Sequence, residues 1–383
     1  MRIALVADGA VPAEGDCSRD PHVVADGLRD LGHEVTLYVL ADTGSSASDG
    51  EHTGGRSSPG SEPEERMSPH PAATWWSLTG LAPKPEAVLS MGMAAPVPSA
   101  ILADSLGVPL VLCLPANLFG PAPPAPGYRR LVCRHLPAHC LLVESDRHAR
   151  AAVRHGADRH RVFVVPPGIR LETSVGPAER GRRTTTSPAR DRLRVFFDAS
   201  ATPLDDQRFV ASLLDRVRAE RRRRVHTVVF APGDRPGETG DLWSGGDITL
   251  VRDRGELPAR YADSDVVVVP SATVDETLPA LRALAAGRPL LAADCPQNRD
   301  VVRSVRHGVL AQPGRPDEWL DKLDYLLAEA PVRVHLGRGA RAHVESSFAL
   351  PQALSQTEER LRSVTAAWCY APTSDPWTQG EET

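Results

Sequence analysis

One stretch of sequence decides the fold class of this chain, and it reads Pro270-Ser271-Ala272-Thr273-Val274-Asp275-Glu276-Thr277-Leu278-Pro279-Ala280-Leu281-Arg282-Ala283-Leu284-Ala285-Ala286-Gly287-Arg288-Pro289. The valine run before it, 266–269, predicts a buried strand, and the apolar run after it, 290–293, predicts another. Between the two, Pro270-Ser271 predicts a turn, the apolar residues from Leu278 onward predict a short helix, and Gly287 predicts the end of that helix. A strand, a helix and a second strand in this order form the unit from which parallel sheets are built.

The rest of the chain repeats this alternation of strands and helices on both sides of a polar linker. We predict an N-terminal α/β domain over residues 1–170, a linker over 171–192, and a second α/β domain over 193–350. A C-terminal helix and frayed tail over 351–383 should cross back to the first domain. Residues 43–73 contain almost no apolar side chains and are predicted to be a disordered insertion. The predicted fold class is therefore α/β, with two doubly wound, Rossmann-like parallel sheets that face each other across a cleft.

Composition argues against several classes of protein. The chain has 383 residues, of which 41% are hydrophobic and 24% are charged, as in ordinary globular proteins with two domains. Its net charge of -5 gives no general attraction to nucleic acid. No apolar run is long enough to predict a transmembrane segment, and Asp8 stands where a signal peptide would continue apolar. The six cysteines lack metal-binding spacing, so we expect a cytoplasmic protein with reduced thiols and no metal site.

Several blocks of the sequence resemble the GT-B glycosyltransferases, and specifically the retaining family 4 group. The most specific block is 261–287, where the family has a pattern like P-S-x-x-E-x-F-G-x-x-x-x-E-A-x-A-x-G. Further blocks follow the family order at residues 1–6, 15–19, 32–36, 140–145, 161–169 and 307–314. The resemblance implies the GT-B architecture and the transfer of a sugar from a nucleotide-sugar donor to a small-molecule or cell-surface acceptor. It also implies that the nucleotide-sugar is a co-substrate and that neither a cofactor nor a metal ion takes part.

The charged residues that the family uses for its chemistry are replaced at the corresponding positions. The two glutamates of the pattern fall on Val274 and Arg282. The arginine and lysine that the family places after the first strand of its second domain fall on Ser200 and Asp205, and its first-domain histidine falls at about Pro115. Each lost charge-assisted hydrogen bond removes about 1.5–3 kcal/mol of binding free energy. We therefore predict weak nucleotide-sugar binding unless other residues take over these roles.

Other residues are candidates for binding the donor, although no catalytic residue is assigned. They lie in the N-terminal loop, at strand ends of both domains, and in the stretch quoted above. The candidates are Gly15, Ser18, Arg19, Ser145, Ser200, Arg208, Asp275, Glu276, Thr277, Leu278 and Arg282. At the helix start, the backbone N–H groups of Thr277 and Leu278 could hold a phosphate, and Arg282 would add to the attraction.

Several of these candidates also have a plainer, structural interpretation. The loop residues could simply be solvated, Ser145 could cap the helix that follows it, and Arg208 could be a solvated helix residue rather than a cation for the diphosphate. Asp275 and Glu276 could substitute for the family's first glutamate, or they could cap the helix that follows them.

Two main functional hypotheses follow. The first is a diverged glycosyltransferase, which the resemblance over most of the chain favours. The second is a catalytically impaired pseudo-glycosyltransferase that acts as partner or regulator of an active enzyme. The replaced positions favour it, and neither lysine of the chain, Lys84 or Lys322, matches the family's lysine. A weaker third hypothesis is an enzyme that uses a different phosphorylated ligand through Arg208, Arg282 and the helix start. The expected partners are a nucleotide-sugar and an unknown acceptor and, under the second hypothesis, a protein, either an active glycosyltransferase or a second copy of this chain.

Overall fold

The protein is built from two parallel α/β domains. In the computed structural model the described residues are 1–8, 15–40, 65–67, 83–120, 127–171, 192–200, 204–221, 225–231, 248–272, 276–303 and 305–370. They form one sheet of seven strands and one of six, and all neighbouring strands within each sheet are parallel. The predicted fold class is confirmed.

The first domain carries the seven-stranded sheet. Its strands are β1 (Arg2–Asp8), β2 (Glu34–Leu40), β3 (Glu65–Met67), β4 (Ala87–Met91), β5 (Leu110–Cys113), β6 (Cys140–Val143) and β7 (Val162–Val164), in the order β3-β2-β1-β4-β5-β6-β7. Its helices are α1 (Pro21–Asp30), α2 (Pro96–Leu106), α3 (Tyr128–Arg130, continued by a π-helical turn over Leu131–His135) and α4 (Asp146–Arg154). Short 3-10 turns lie at Ala116–Phe119 and Arg159–Arg161.

The second domain carries the six-stranded sheet. Its strands are β8 (Leu193–Asp198), β9 (Val225–Phe230), β10 (Ile248–Val251), β11 (Val266–Val269), β12 (Leu290–Ala293) and β13 (Val309–Ala311), in the order β10-β9-β8-β11-β12-β13. Its helices are α5 (Leu204–Arg221), α6 (Leu257–Asp263), α7 (Leu278–Ala285), α8 (Pro296–Val301), α9 (Pro316–Ala328) and α10 (Ala330–Ser347), with a 3-10 turn at Arg254–Glu256. The last helix, α11 (Leu350–Tyr370), follows this domain in sequence.

The strand order fixes where a ligand can lie. In the first sheet the chain runs outward from β1 to β3 and then returns to β4 on the other side of β1, and in the second sheet it does the same around β8. In doubly wound sheets the crevice beside such a reversal, at the carboxyl ends of the strands, is the ligand site. Each central strand ends in an aspartate at this edge, Asp8 in the first domain and Asp198 in the second.

Short backbone segments from three parts of the chain meet between the domains. The N–H group of Ser18 donates to the carbonyl of Gly168 at 2.8 Å. The N–H group of Ile169 donates to the carbonyl of Phe348 at 2.8 Å, and that of Leu350 donates back to the carbonyl of Ile169 at 3.0 Å. The loop after β1, the end of the first domain and the start of α11 are thus joined into one hinge.

The last helix, α11, packs against the first domain although it follows the second in sequence. Its residues Leu354 and Leu361 are buried in one apolar cluster with Val23 and Leu28 of α1. This burial stabilises the contact between the two domains through the hydrophobic effect. No helix within the described ranges carries an apolar stretch long enough to cross a bilayer.

Some sequence predictions concern residues that the structure describes only in part. Most of the predicted disordered insertion, 43–73, lies outside the described residues, but Glu65–Met67 forms the edge strand β3, which the sequence analysis did not predict. Most of the predicted linker, 171–192, and the tail after Tyr370 also lie outside the described residues.

Candidate functional site

A cavity of about 500 Å³ lies at the carboxyl edge of the first sheet and reaches the second domain. It is built where four neighbouring strands end, at Asp8, Met91, Cys113 and Val143. Glu276, just before α7, contributes to its wall from the second domain. Its charged lining residues are Asp8, Arg19, Glu144 and Glu276, and most of the others are apolar. Burial raises the pKa of Cys113 to about 12, so its thiol stays protonated and acts as part of the apolar wall.

Asp8 shapes the wall of this cavity by binding backbone groups. Its carboxylate accepts hydrogen bonds from the N–H groups of Met93, of Ala94 at 3.0 Å and of Ala95 at 2.8 Å, just before α2. Gly92 makes this possible, since it has φ 111° and an added Cβ would lie 2.4 Å from the carboxyl carbon of Asp8. Asp8 thus positions the loop after β4.

Arg19 links the two domains at this cavity. Its guanidinium forms ion pairs with Glu144, at the end of β6, and with Glu276 of the second domain. A terminal nitrogen also donates to the hydroxyl of Thr277 at 2.9 Å. Burial alone would lower the pKa of Arg19, but the two carboxylates outweigh burial and raise it further above its ordinary value. The Nε atom of Arg19 is buried and has no hydrogen-bond acceptor among the described residues.

A second ion pair across the cleft joins Asp16, in the loop after β1, to Arg282 of α7. Nε of Arg282 lies 2.7 Å from Oδ2 of Asp16, and Nη2 lies 2.9 Å from Oδ1, so the contact is bidentate. The two side chains are only 12% and 9% exposed, respectively. Arg282 was predicted to attract a phosphate, but in the structure a carboxylate from the other domain neutralises it.

Among the described residues that form these two ion-pair groups, carboxylates outnumber arginines. Two arginines, Arg19 and Arg282, face the three carboxylates of Asp16, Glu144 and Glu276. A diphosphate entering this arrangement would meet arginines whose charge is already paired. A phosphate at the paired guanidinium nitrogens would therefore compete with these carboxylates.

A third polar cluster lies at the carboxyl end of β8, where the family has its donor-binding arginine. Asp198 is buried and accepts hydrogen bonds from the hydroxyl of Tyr261 and, at 2.9 Å, from the N–H group of Ser200. Burial, together with the charge of Asp198, raises the pKa of Tyr261 well above its ordinary value. The hydroxyl also lies 3.2 Å from the carbonyl oxygen of Pro279 in α7. The cluster fixes α6 and α7 relative to β8.

The candidates in the N-terminal loop hold that loop in place. Gly15 has φ 66°, and its N–H group donates to the carboxylate of Asp20 at 2.9 Å. The hydroxyl of Ser18 accepts a hydrogen bond from the N–H group of Gly168 at 2.7 Å, so Ser18 is bound to the hinge on both its backbone and its side chain. Ser18 also lines the cavity together with Arg19.

The structure also places the candidates at the helix starts. Ser145 caps α4, since its hydroxyl accepts from the N–H group of His148 at 3.4 Å. Glu276 has two partners, Arg19 and the N–H group of Leu278, the latter at 2.9 Å. This N–H group was predicted to be available for a phosphate, but a carboxylate already occupies it.

Two candidates cannot be placed relative to the cleft. Asp275 lies outside the described residues, and so does Val274, the family's first glutamate position. Arg208 lies on α5, but its side chain is outside the part of the chain that the structure describes. Lys322 is far from the family's lysine position in sequence, and it pairs with Glu318 on α9.

The candidates from the sequence did not include Glu144, Asp16, Asp198 and Tyr261, which the structure places in this region. The signal for Asp16 was present, because the family usually has a second glycine beside the one at Gly15, and Asp16 stands in its place, while Arg282 replaces a glutamate. The two changes have opposite charge and fall on facing domains. No comparable signal marked Asp198 and Tyr261, since their contact depends on how α6 packs against β8.

Family models match both domains. A model described as a glycosyl transferase 4-like domain matches residues 19–168, and one described as glycosyl transferases group 1 matches residues 193–329. The two matches lie on either side of the predicted linker.

Curated relatives carry the name D-inositol 3-phosphate glycosyltransferase. The chain is 32% identical over 208 residues to the protein from Gordonia bronchialis, which covers 50% of this chain and 45% of that protein. It is 32% identical over 246 residues to the one from Salinispora arenicola, which covers 58% and 53%. The chain thus matches about half the length of these relatives.

Solved structures match nearly the whole chain. HepE of Anabaena in complex with UDP has a TM-score of 0.72 at 15% identity and covers 95% of this chain and 100% of that one. Sucrose-phosphate synthase of Thermosynechococcus elongatus has a TM-score of 0.68 at 15% identity, with coverages of 96% and 100%. At such identities the likeness shows the fold alone. None of these comparisons supports the alternative of a catalytically impaired regulator. Together with the fold, they show that the chain belongs to the family 4-like glycosyltransferases of GT-B fold.

Proposed function

We propose that this protein transfers a sugar from a nucleotide-sugar donor to an acceptor bound in the cavity at the carboxyl edge of the first sheet. The observation that carries the proposal is the position of this cavity, which opens to the second domain at Glu276 and is bordered by Arg19. A ligand there would lie at the edge where doubly wound sheets bind their ligands. The matching structure of Anabaena HepE holds UDP, which makes UDP-sugars the first donors to test.

We propose that Arg19 is the residue that meets the donor diphosphate. Within the described part of the chain, Arg19 is the one cation that lines the cavity, and its Nε atom has no acceptor there. Binding would replace Glu276 at the guanidinium by phosphate oxygens, since charge-assisted hydrogen bonds to arginine suit both groups. In such an exchange Arg19 always keeps a negatively charged partner. A phosphate at Arg282 would instead have to displace Asp16, which binds that arginine through two hydrogen bonds.

The lining of the cavity supports an acceptor with an apolar body and a hydroxyl group. Apolar side chains such as Val24, Met93 and Leu142 form most of the wall. Among the described residues that line the cavity, Arg19 is the one cation, and it is already paired with two carboxylates. An acceptor with a phosphate of its own, as in the name of the curated relatives, would find no further cation among these described lining residues. We therefore propose an uncharged or amphiphilic alcohol as the acceptor class.

The remaining conditions of the proposed reaction follow from the family. We propose that the nucleotide-sugar is the only co-substrate besides the acceptor and that no metal ion takes part. A cytoplasmic location is proposed as well, and it is supported by six free cysteines, of which four are buried, one is half-buried and one is exposed. A protein partner remains a prediction of the sequence analysis.

The test begins with titration calorimetry of the full chain against UDP, followed by UDP release from UDP-sugars with a panel of alcohols. We expect Arg19→Gln to weaken UDP binding about ten- to hundredfold, because a charge-assisted hydrogen bond is worth roughly 1.5–3 kcal/mol. Arg154→Gln, an exposed arginine at the end of α4, is the matched control and should bind like the unchanged protein. Circular dichroism of each variant checks that it is folded.

Two results would contradict the proposal. One is the failure of the folded, unchanged protein to bind UDP or any other nucleoside diphosphate. The other is UDP binding that Arg19→Gln leaves unchanged, which would move the diphosphate to another part of the cleft. Release of UDP only with inositol phosphate as acceptor would refute the proposed acceptor class while leaving the donor site intact.

A further inference from the structure

A second concave site lies on the second domain, away from the cleft. It is an open groove of about 740 Å³ between the loop that precedes β13 and one face of α10. Parallel strands all end at the same edge of their sheet, so a loop that leads into β13 lies at the amino edge, opposite the edge of the candidate site. None of its lining residues lines the cavity of the first domain.

The groove contains three arginines and no acidic residue among its described lining side chains. Its lining residues are Arg303, Arg306, His307, His335, Arg338, Gly339, Ala342, His343, Ser346 and Ser347, none of which is acidic. On α10 these positions recur every three or four residues, so they share one face of the helix. The chain as a whole has a net charge of -5, so this concentration of cations runs against its overall composition.

The arginines of the groove have no acidic partner within the described part of the chain. Arg303, Arg306 and Arg338 form no ion pair there, whereas Arg341 on the same helix pairs with Glu345. An exposed arginine row is often just solvated, but here the guanidiniums border a concavity rather than a convex surface. A concave set of like charges focuses the field and attracts a counter-ion.

Two histidines form the inner wall of the groove. The rings of His307 and His343 stack with their centroids 3.9 Å apart and an angle of 19° between their planes. Burial, the neighbouring ring and the two loop arginines lower the pKa of His307 to about 4. Its Nδ1 atom is buried and has no hydrogen-bond partner among the described residues. Burial is the largest cause of this shift, and the positive charges of Arg303 and Arg306, which add to it, also favour an anion beside the ring.

Backbone contacts hold the two sides of the groove together. An added Cβ at Gly339 of α10 would lie 2.4 Å from the carbonyl oxygen of Arg306, so the helix and the loop touch directly. Val305, at the tip of this loop, has φ 60° and is 74% exposed. Non-glycine residues adopt this conformation rarely, and it is kept where the surrounding structure imposes it. The close approach at Gly339 thus places Arg306 directly against α10.

We propose that this groove is an anion site that binds a phosphate group of a small soluble ligand. Arg306 and Arg338, from the loop and the helix, would bind the phosphate oxygens from two sides, as arginine does in other phosphate sites. The volume of the groove exceeds that of a single phosphate, so the ligand carries either several phosphates or a further group. The site is distinct from the donor cleft, and its existence does not depend on the proposed transferase activity.

The test is titration calorimetry of the full chain with inorganic pyrophosphate, in the presence of enough UDP to fill the cleft. We expect Arg306→Gln and Arg338→Gln each to weaken pyrophosphate binding about tenfold or more, since each removes a charge-assisted contact. The matched control is Arg315→Gln, an exposed arginine of the same domain that lies outside the groove and should leave the affinity unchanged. UDP binding should be the same in all four proteins.

A second arm identifies the source of the phosphate. An exposed apolar residue beside basic ones, such as Val305, would also suit a lipid surface. We therefore sediment the same variants with phosphatidylcholine vesicles that either contain or lack phosphatidylglycerol. Binding to the anionic vesicles that Arg306→Gln abolishes would assign the phosphate to a lipid headgroup, and binding of pyrophosphate alone would assign it to a soluble ligand. Binding of neither probe overturns the proposal, and so does binding that neither groove variant weakens.

Discussion

The ion pair between Asp16 and Arg282 joins the two domains, and its removal should destabilise the protein. Both side chains are nearly buried, and two hydrogen bonds of 2.7 and 2.9 Å hold them together across the cleft. Asp16→Asn keeps the shape of the side chain but removes the carboxylate charge that faces the buried guanidinium of Arg282. Removal of one partner of a buried pair costs about 3–5 kcal/mol. Because Arg282 has further interactions, we expect the lower end, about 3 kcal/mol.

A double-mutant cycle measures this coupling. The free energy of unfolding in urea is determined for the unchanged protein, Asp16→Asn, Arg282→Gln and the double variant, with tryptophan fluorescence and circular dichroism as separate probes in case the domains unfold separately. The double variant should lose much less stability than the sum of the two single variants, because the second change removes a group that no longer has its partner. Losses that add within about 0.5 kcal/mol would refute the reasoning.

An exposed pair provides the control for this cycle. Asp26 and Arg29 lie 2.9 Å apart on α1, with side chains that are 68% and 35% exposed. Water screens such a pair, so Asp26→Asn should cost less than about 1 kcal/mol. A loss as large as that of Asp16→Asn would mean that burial is not the cause of the difference.

Two further predictions concern the packing around the cleft. Gly168→Ala should destabilise the protein by about 1–3 kcal/mol in urea unfolding, because the new Cβ would lie 2.6 Å from the Cβ of Ala353 in α11. The control is Gly255→Ala, which should cost less because the atom nearest to its new Cβ would be 3.3 Å away. Tyr261→Phe should cost roughly 1–3 kcal/mol, because buried Asp198 loses a donor. Folding raises the pKa of Tyr261 above its ordinary value of 10.0. The stability that its protonated hydroxyl contributes is therefore fully present below the ordinary pKa and is lost as the pH rises through the pKa of the folded state. Stability measured against pH should therefore fall less steeply in alkali for Tyr261→Phe, and an unchanged alkaline slope would contradict the assignment.

The fold could be predicted from sequence because parallel strands buried on both faces are continuous apolar runs. Val266–Val269 is such a run, and all four of its residues are buried between two helix layers. The exception is β3, Glu65–Met67, which has two charged residues out of three and pairs only along one side. An edge strand of this kind gains its hydrogen bonds from β2, and no local pattern of apolar residues reveals that.

The candidate site was predicted in part, because family positions identify residues but not their partners. Arg19 was a candidate on sequence grounds, and the structure brings it to Glu276, 257 positions away in the chain. A contact over such a distance depends on how the two domains close, and neither helical nor strand periodicity encodes that closure. For the same reason Ser18 could be read as a surface residue, although it is tied to Gly168 at the hinge.

Asp16 and Arg282 show why the replaced family positions are better understood together than one by one. Taken separately, an aspartate in a glycine position repels a diphosphate, and an arginine in a glutamate position cannot accept hydrogen bonds from a ribose. Taken together, they neutralise each other and join the two domains. Restoring the glutamate at position 282 alone would place two carboxylates in one buried contact, so the family chemistry can return only if Asp16 is changed as well. The two replacements are thus one structural feature, and the transferase chemistry that we propose has to operate around it, through Arg19.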